Sequence, residues 1–182
     1  MGYFLTDKSR IWQTNTDGRW KLVDNELYMN NNGTIQICPR YFWTDGYSFP
    51  DILMPITGDK NHLDVRPAHQ HDLECRFHER LVVNLSLSEL CRKGYLHNKN
   101  SHNQNILVCE DIPMKYITIE KVTKTNTDDR LYQMMLSAYI NKTKARAVRL
   151  GVRFNLNWLR TGKKSLSEYN IYKQVIGLVN GL

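Results

Sequence analysis

Residues 1 to 50 alternate apolar and polar side chains with a period of two, the pattern of half-buried strands. Ile11-Trp12-Gln13 and Trp20-Lys21-Leu22-Val23 flank Asp17-Gly18, a pair that tolerates the positive φ of a tight hairpin turn. Glu26-Leu27-Tyr28-Met29 and Thr34-Ile35-Gln36-Ile37-Cys38 flank a second turn, Asn30-Asn31-Asn32-Gly33. Pro39 has no N–H to give a ladder, so it marks an edge or a bulge. The segment predicts a small antiparallel meander of three or four short strands with large aromatic side chains.

Beyond an irregular stretch from Ile52 to Leu63, helical periodicity takes over. Pro67 suits the first turn of a helix running to about Arg80, where its missing N–H costs nothing. Helical character continues from Leu85 to Cys91, with Ser86-x-x-Glu89 as a capping box and Gly94 as the stop. His97 to Asn105 is polar and rich in turn residues, and predicts a loop. Ile106-Leu107-Val108 and Lys115-Tyr116-Ile117-Thr118-Ile119 predict a second hairpin. Thr127 or Asp128 would cap a helix from Asp129 to Ile140, with Leu131, Met134, Met135 and Ala138 on one face. A further helix is expected from Lys144 to Phe154.

Thr161-Gly162-Lys163-Lys164 reads as a linker to a last helix, opened by the capping box Ser165-x-x-Glu168 and striped by Tyr169, Tyr172, Ile176 and Val179. The pattern therefore predicts an α+β fold: an N-terminal antiparallel meander on a layer of helices over residues 1–160, and a linker with a C-terminal amphipathic helix over 161–182.

Charge changes this picture at one end. From Tyr139 onward nine basic residues face one acid, Glu168, so the C-terminal quarter carries +8 and the rest of the chain −1 of the net +7. Arg or Lys at 142, 146, 149, 153 and 160 recurs at roughly helical spacing. That distribution points to nucleic acid, an anionic surface or an acidic protein partner; a solvated helix face is the bland alternative. The four cysteines lie far apart with no C-x-x-C pair, as expected for free thiols in a reducing compartment. No apolar run approaches the ~20 residues of a transmembrane helix.

Candidate chemistry gathers in three polar segments: Thr44-Asp45-Gly46-Tyr47-Ser48-Phe49-Pro50, His69-Gln70-His71-Asp72 and Thr127-Asp128-Asp129-Arg130-Leu131-Tyr132. Each introduces an apolar stretch, so packing of the two helices would bring His71, Asp72 and Asp129 into one cluster with Asp45 or Ser48 at its rim. His71, Cys75 and His78 also lie at i, i+4 and i+7, with His69 near, a spacing that suits zinc. A packed Cys75 and a surface His78 explain the same spacing without a metal. A buried His-Asp clamp between helices likewise accounts for the main cluster without catalysis.

Four blocks in order carry a family resemblance: Asp45-Gly46-x-Ser48-x-Pro50, the helix with Ala68 and His71-Asp72, Asp129-Arg130-Leu131-Tyr132 with Met135, and Ala147-Val148-Arg149-x-Gly151. Over roughly residues 35 to 158 the chain resembles the phage and prophage family known as domain of unknown function 1353. It departs from that family at Cys75, where an aromatic residue is more usual, and in a longer stretch between Asp72 and Asp129. The resemblance implies a phage gene product without settled activity: a component of the virion or its assembly at tail, baseplate or neck. Its expected partners are other virion proteins, met through the basic C-terminal segment as part of an oligomer. It would be made in the host cytoplasm and located in the virion.

The His-Asp…Asp pattern also resembles the phospholipases of the A-two class. That likeness implies His71 as general base, Asp129 as the acid orienting it, and Asp72 with Asp45 as ligands of a divalent cation, calcium or zinc. The competing expectation is thus a metal-dependent esterase or phospholipase-like hydrolase acting on host envelope material.

Overall fold

A computed structural model describes residues 2–7, 11–13, 20–44, 46–47, 54–57, 63–101 and 104–154. Asp45, Ser48 and Pro50, the Asp17-Gly18 turn, and the linker with its C-terminal helix lie outside the described residues. In chain order the elements are β1 (Tyr3–Phe4), β2 (Ile11–Gln13), β3 (Trp20–Leu22), β4 (Glu26–Met29), β5 (Ile35–Cys38), β6 (Trp43–Thr44), α1 (Met54–Thr57), α2 (Arg66–Phe77) and β7 (Glu79–Val83). They continue with α3 (Leu87–Arg92), β8 (Leu96–Ser101), β9 (Gln104–Cys109), β10 (Ile117–Lys121), α4 (Lys124–Ser137) and α5 (Lys142–Arg153). The fold is α+β.

The main sheet runs β1-β4-β5-β7-β10, every neighbouring pair antiparallel. Alternation sorts its residues onto two faces. Leu27, Ile35, Ile37, Leu81 and Val83 join the larger apolar cluster, closed by Leu90 of α3, Leu96 of β8 and Cys109 of β9. The other face carries Glu26, Tyr28, Gln36, Cys38 and Val82, all buried. Here the Tyr28 hydroxyl lies 3.4 Å from Ser137 Oγ of α4, and Gln70 of α2 donates to the Glu26 carbonyl at 3.4 Å. A smaller apolar cluster, with Ala68, Leu131, Met135, Ala145, Val148 and Val152, joins α2, α4 and α5. The helices thus meet the sheet through Leu73 and Phe77 of α2 as well as through polar contacts, and α2, α4 and α5 share an apolar cluster of their own.

The predicted hairpin of β2 and β3 forms, with Ile11 opposite Leu22, as does the pairing of β4 with β5. The capping box of Ser86 and Glu89 closes α3. Four expectations are corrected. The helix carrying His71 stops at Phe77, because His78 takes a left-handed conformation (φ 54) and its N–H bonds the Glu74 carbonyl. The next five residues form β7, an interior strand of the main sheet.

Ile106–Val108 does not pair with 115–119. It belongs to β9, which forms a ribbon with β8 through the segment expected to be a loop, while β10 pairs with β7. Helix α4 begins one turn early, at Lys124, with the Thr123 hydroxyl accepting from Asn126 N. It ends in a Schellman motif: Tyr139 N bonds Leu136 O and Ile140 N bonds Met135 O. Tyr139 occupies the left-handed position (φ 59), where glycine is usual, with its side chain 95% exposed.

Candidate functional site

Helices α2 and α4 lie side by side, and their polar residues meet in successive turns. His71 projects from the buried face of α2, its Nε2 3.2 Å from Asp128 Oδ1. Asp128 has no exposed side-chain surface, and its second oxygen accepts from Lys124 Nζ at 2.9 Å. The same ammonium donates to the Val152 carbonyl at 2.8 Å, tying the last turn of α5 into the cluster. On the other side of the imidazole, Asp72 Oδ1 stands 3.6 Å from Nδ1. Asp72 Oδ2 accepts a hydrogen bond from the Thr44 hydroxyl at the end of β6. That hydroxyl in turn accepts from Gly46 N at 3.0 Å, a Thr-x-Gly turn made possible by positive φ (86) at Gly46.

The His71 ring is thus surrounded by the carboxylates of Asp128 and Asp72 and by the Cys75 sulfur, with the Lys124 ammonium on the far side of Asp128. Burial by itself would drive the His71 imidazole toward its neutral form. The Cys75 sulfur and the carboxylates of Asp128 and Asp72 outweigh it and hold the His71 pKa well above the ordinary value. Burial likewise pushes Asp128 up, but the bonds from His71 and Lys124 hold its carboxyl below the usual range.

One turn further along, Glu74 Oε2 accepts from Thr127 Oγ1 at 2.8 Å and from Arg130 Nη2 at 3.1 Å. Burial pushes the Glu74 carboxyl up to about 7, against the lowering effects of the Thr127 bond and of Arg80 and His71. Its other oxygen, Oε1, makes no hydrogen bond, as suits a carboxyl that is neutral part of the time.

The expected cluster is thus assembled with one substitution of partner. His71 and Asp72 come together as anticipated, but the acid on His71 is Asp128. Asp129 lies about 100° around the helix; its carboxylate, 46% exposed, pairs with Arg149 of α5, with Arg149 Nε donating at 2.8 Å. The displacement follows from the early start of α4. With Thr123 as the cap, Asp128 sits inside the helix on the side of Leu131 and Met135, where the sequence had assigned it to the cap. Glu74 and Lys124 lie outside the three candidate segments, while Thr44, Thr127 and Arg130 lie within them with no expected role in the cluster. Thr44-x-Gly46 is a readable turn signal, and Glu74 lies at i+3 from His71 on the same face; Arg130 gave no signal of its own.

Of the two expected metal ligands, Asp45 lies outside the described residues and Asp72 is engaged. One Asp72 oxygen is taken by Thr44 and the other faces the imidazole. Among the described residues no group of three His, Cys, Asp or Glu side chains is placed to hold an ion. Of the spacing that suited zinc, His71 and Cys75 remain in contact along α2. His69 turns away so that its Nε2 meets the Trp20 carbonyl at 3.1 Å, and burial lowers its pKa to about 4, leaving a neutral ring.

Cys75 Sγ lies 3.5 Å from Nε2 and 3.7 Å from Nδ1 of His71. Near-equal distances place sulfur on the bisector of the two nitrogens, off the outward lone-pair line of either one. The thiol is therefore not lined up to pass its proton to the imidazole in the manner of an activated nucleophile. No helix among the described residues is long and apolar enough to cross a membrane. The chain matches no family model, no curated protein and no solved structure.

Proposed function

We propose that this chain is a bacteriophage virion or assembly component, of tail, baseplate or neck, in which the His71 cluster is a structural clamp between helices. The observation that carries the clamp is the placement of a carboxylate at each ring nitrogen of His71. The Asp128 bond at Nε2 ties the ring across the two helices, and the flanking carboxylates favour its protonated form, which has no lone pair with which to take a proton from water. The phage assignment rests on the four ordered sequence blocks, three of which contribute to the α2–α4–α5 assembly. A particle protein must hold one shape under load, and a buried network of paired charges that favours a single helix register serves that need. Its partners are other virion proteins, met as part of an oligomer within the virion after synthesis in the host cytoplasm.

The test compares the full chain with His71→Gln. Neither protein is expected to hydrolyse phospholipid vesicles or a nitrophenyl ester above background, with or without calcium, while the variant melts at a lower temperature. Turnover by the parent that His71→Gln abolishes with melting unchanged would replace the clamp by the hydrolase. Peptide mass spectrometry of density-purified particles is expected to find the chain in the particle or its assembly intermediates. Confinement to the particle-free lysate would overturn the virion assignment.

A further inference from the structure

Helix α5 uses its apolar side entirely within the protein: Ala145, Val148, Gly151 and Val152 are buried against α2 and α4. Its outer side carries Lys142, Arg146, Arg149 and Arg153 at i, i+4, i+7 and i+11, a row about 16 Å long on a straight helix. No acid occurs on α5, and the row's ion pair among the described residues is that of Arg149 with Asp129. Lys142, Arg146 and Arg153 are exposed. Directly beside this row, at 80–120° on a wheel of about 100° per residue, stand two apolar side chains. Leu150 is 54% exposed and Phe154 is 78% exposed.

We infer that this outer face of α5 is a docking surface for single-stranded nucleic acid, the cations taking phosphates and Leu150 with Phe154 receiving base faces. The match lies in the side-by-side arrangement. A single strand presents a line of phosphates along one edge and unpaired bases along the other, which calls for a basic row flanked by an aromatic platform. A duplex offers the phosphate row but keeps its base faces stacked inside, leaving Leu150 and Phe154 without a partner. An anionic bilayer would need a broad apolar face on an amphipathic helix, and apart from Leu150 and Phe154 the apolar residues of α5 are committed to the core. This surface is distinct from the His71 cluster and does not depend on whether that cluster is a clamp.

The experiment measures fluorescence anisotropy of a labelled oligothymidylate of about 20 nucleotides with the full chain, across about 50 to 200 mM salt. A duplex of equal length and phosphatidylglycerol vesicles serve as competing probes. The full chain binds the oligothymidylate more tightly than the duplex. The double variant R146E/R153E loses at least about tenfold in affinity, and the slope of log K against log salt falls by about 1.4, from two lost phosphate contacts. Phe154→Ala loses about fivefold or more with the slope unchanged, as expected for a stacking contact. Both variants melt like the parent, because the altered side chains are exposed.

Failure of the parent to bind the oligothymidylate at low salt overturns the inference. So does binding that neither variant weakens. Preference for the duplex with no effect of Phe154→Ala, or capture of vesicles alone, assigns the row to another partner and overturns it equally.

Discussion

Asp128→Ala is expected to destabilise the fold by about 3–5 kcal/mol, whereas Asp129→Ala, one residue along, costs less than about 1 kcal/mol. The asymmetry follows from burial and partners. Asp128 has no exposed side-chain surface and answers two cations, His71 Nε2 and Lys124 Nζ. Removing it leaves a buried imidazolium with one carboxylate and an ammonium whose remaining bond is to the Val152 carbonyl. Asp129 and Arg149 form a half-exposed pair, screened by solvent.

Urea denaturation of both variants measures the difference. Combining Asp128→Ala with His71→Ala should cost less than the sum of the single changes, because the second substitution removes the charge that the first left stranded. Equal losses for the two aspartates, or additive losses in the cycle, would place the clamp elsewhere.

The second large effect is in the pH dependence of stability, where buried groups pull in opposite directions. Glu74 is raised from 4.5 to about 7, so its contribution is complete below pH 4.5 and is lost as pH rises through 7. His69 is lowered from 6.5 to about 4, so its contribution is present above pH 6.5 and is lost as pH falls through 4. The two nearly cancel between pH 4.5 and 6.5, which leaves buried Glu26, its carboxyl also pushed well up by burial, to weaken the parent as pH rises through that window.

Glu74→Gln uncovers the buried carboxyl. The neutral amide keeps an oxygen for Thr127 but has no proton to lose. Relative to the parent, the variant should therefore gain about 3 kcal/mol on going from pH 4.5 to 7 or above. Above pH 7 both proteins should weaken further, as His71 loses a proton whose binding is favoured in the fold. Denaturant midpoints at several pH values decide it; parallel profiles for parent and variant would mean that Glu74 stays ionised throughout.

The elements legible in the sequence were those with a clear local signal, even where both faces are buried. Strands β4 and β5 alternate cleanly around an Asn-Gly turn, and α3 carries its full capping box. Strand β7 was hidden because α2 ends at a left-handed histidine and not at glycine, so nothing in the sequence marks the stop. The β8–β9 ribbon was hidden because Asn98, Lys99 and Asn100 are all exposed; strands reaching into solvent need no apolar alternation. At the site, His71 and Asp72 were legible because adjacent polar residues early in an amphipathic helix are conspicuous. Their partner was displaced by one residue because Thr123 and Thr127 offer equivalent cap signals four residues apart, and only tertiary packing chooses between them.

The clamp stands on the charge state of His71, which ¹H–¹⁵N correlation spectra of the imidazole ring read directly. At pH 7.5 both His71 nitrogens are expected to carry protons, with no titration near 6.5, as two flanking carboxylates and the raised pKa require. A neutral His71 with one unprotonated nitrogen, titrating near 6.5, would contradict the clamp. It would also restore to this ring the lone pair that a general base needs.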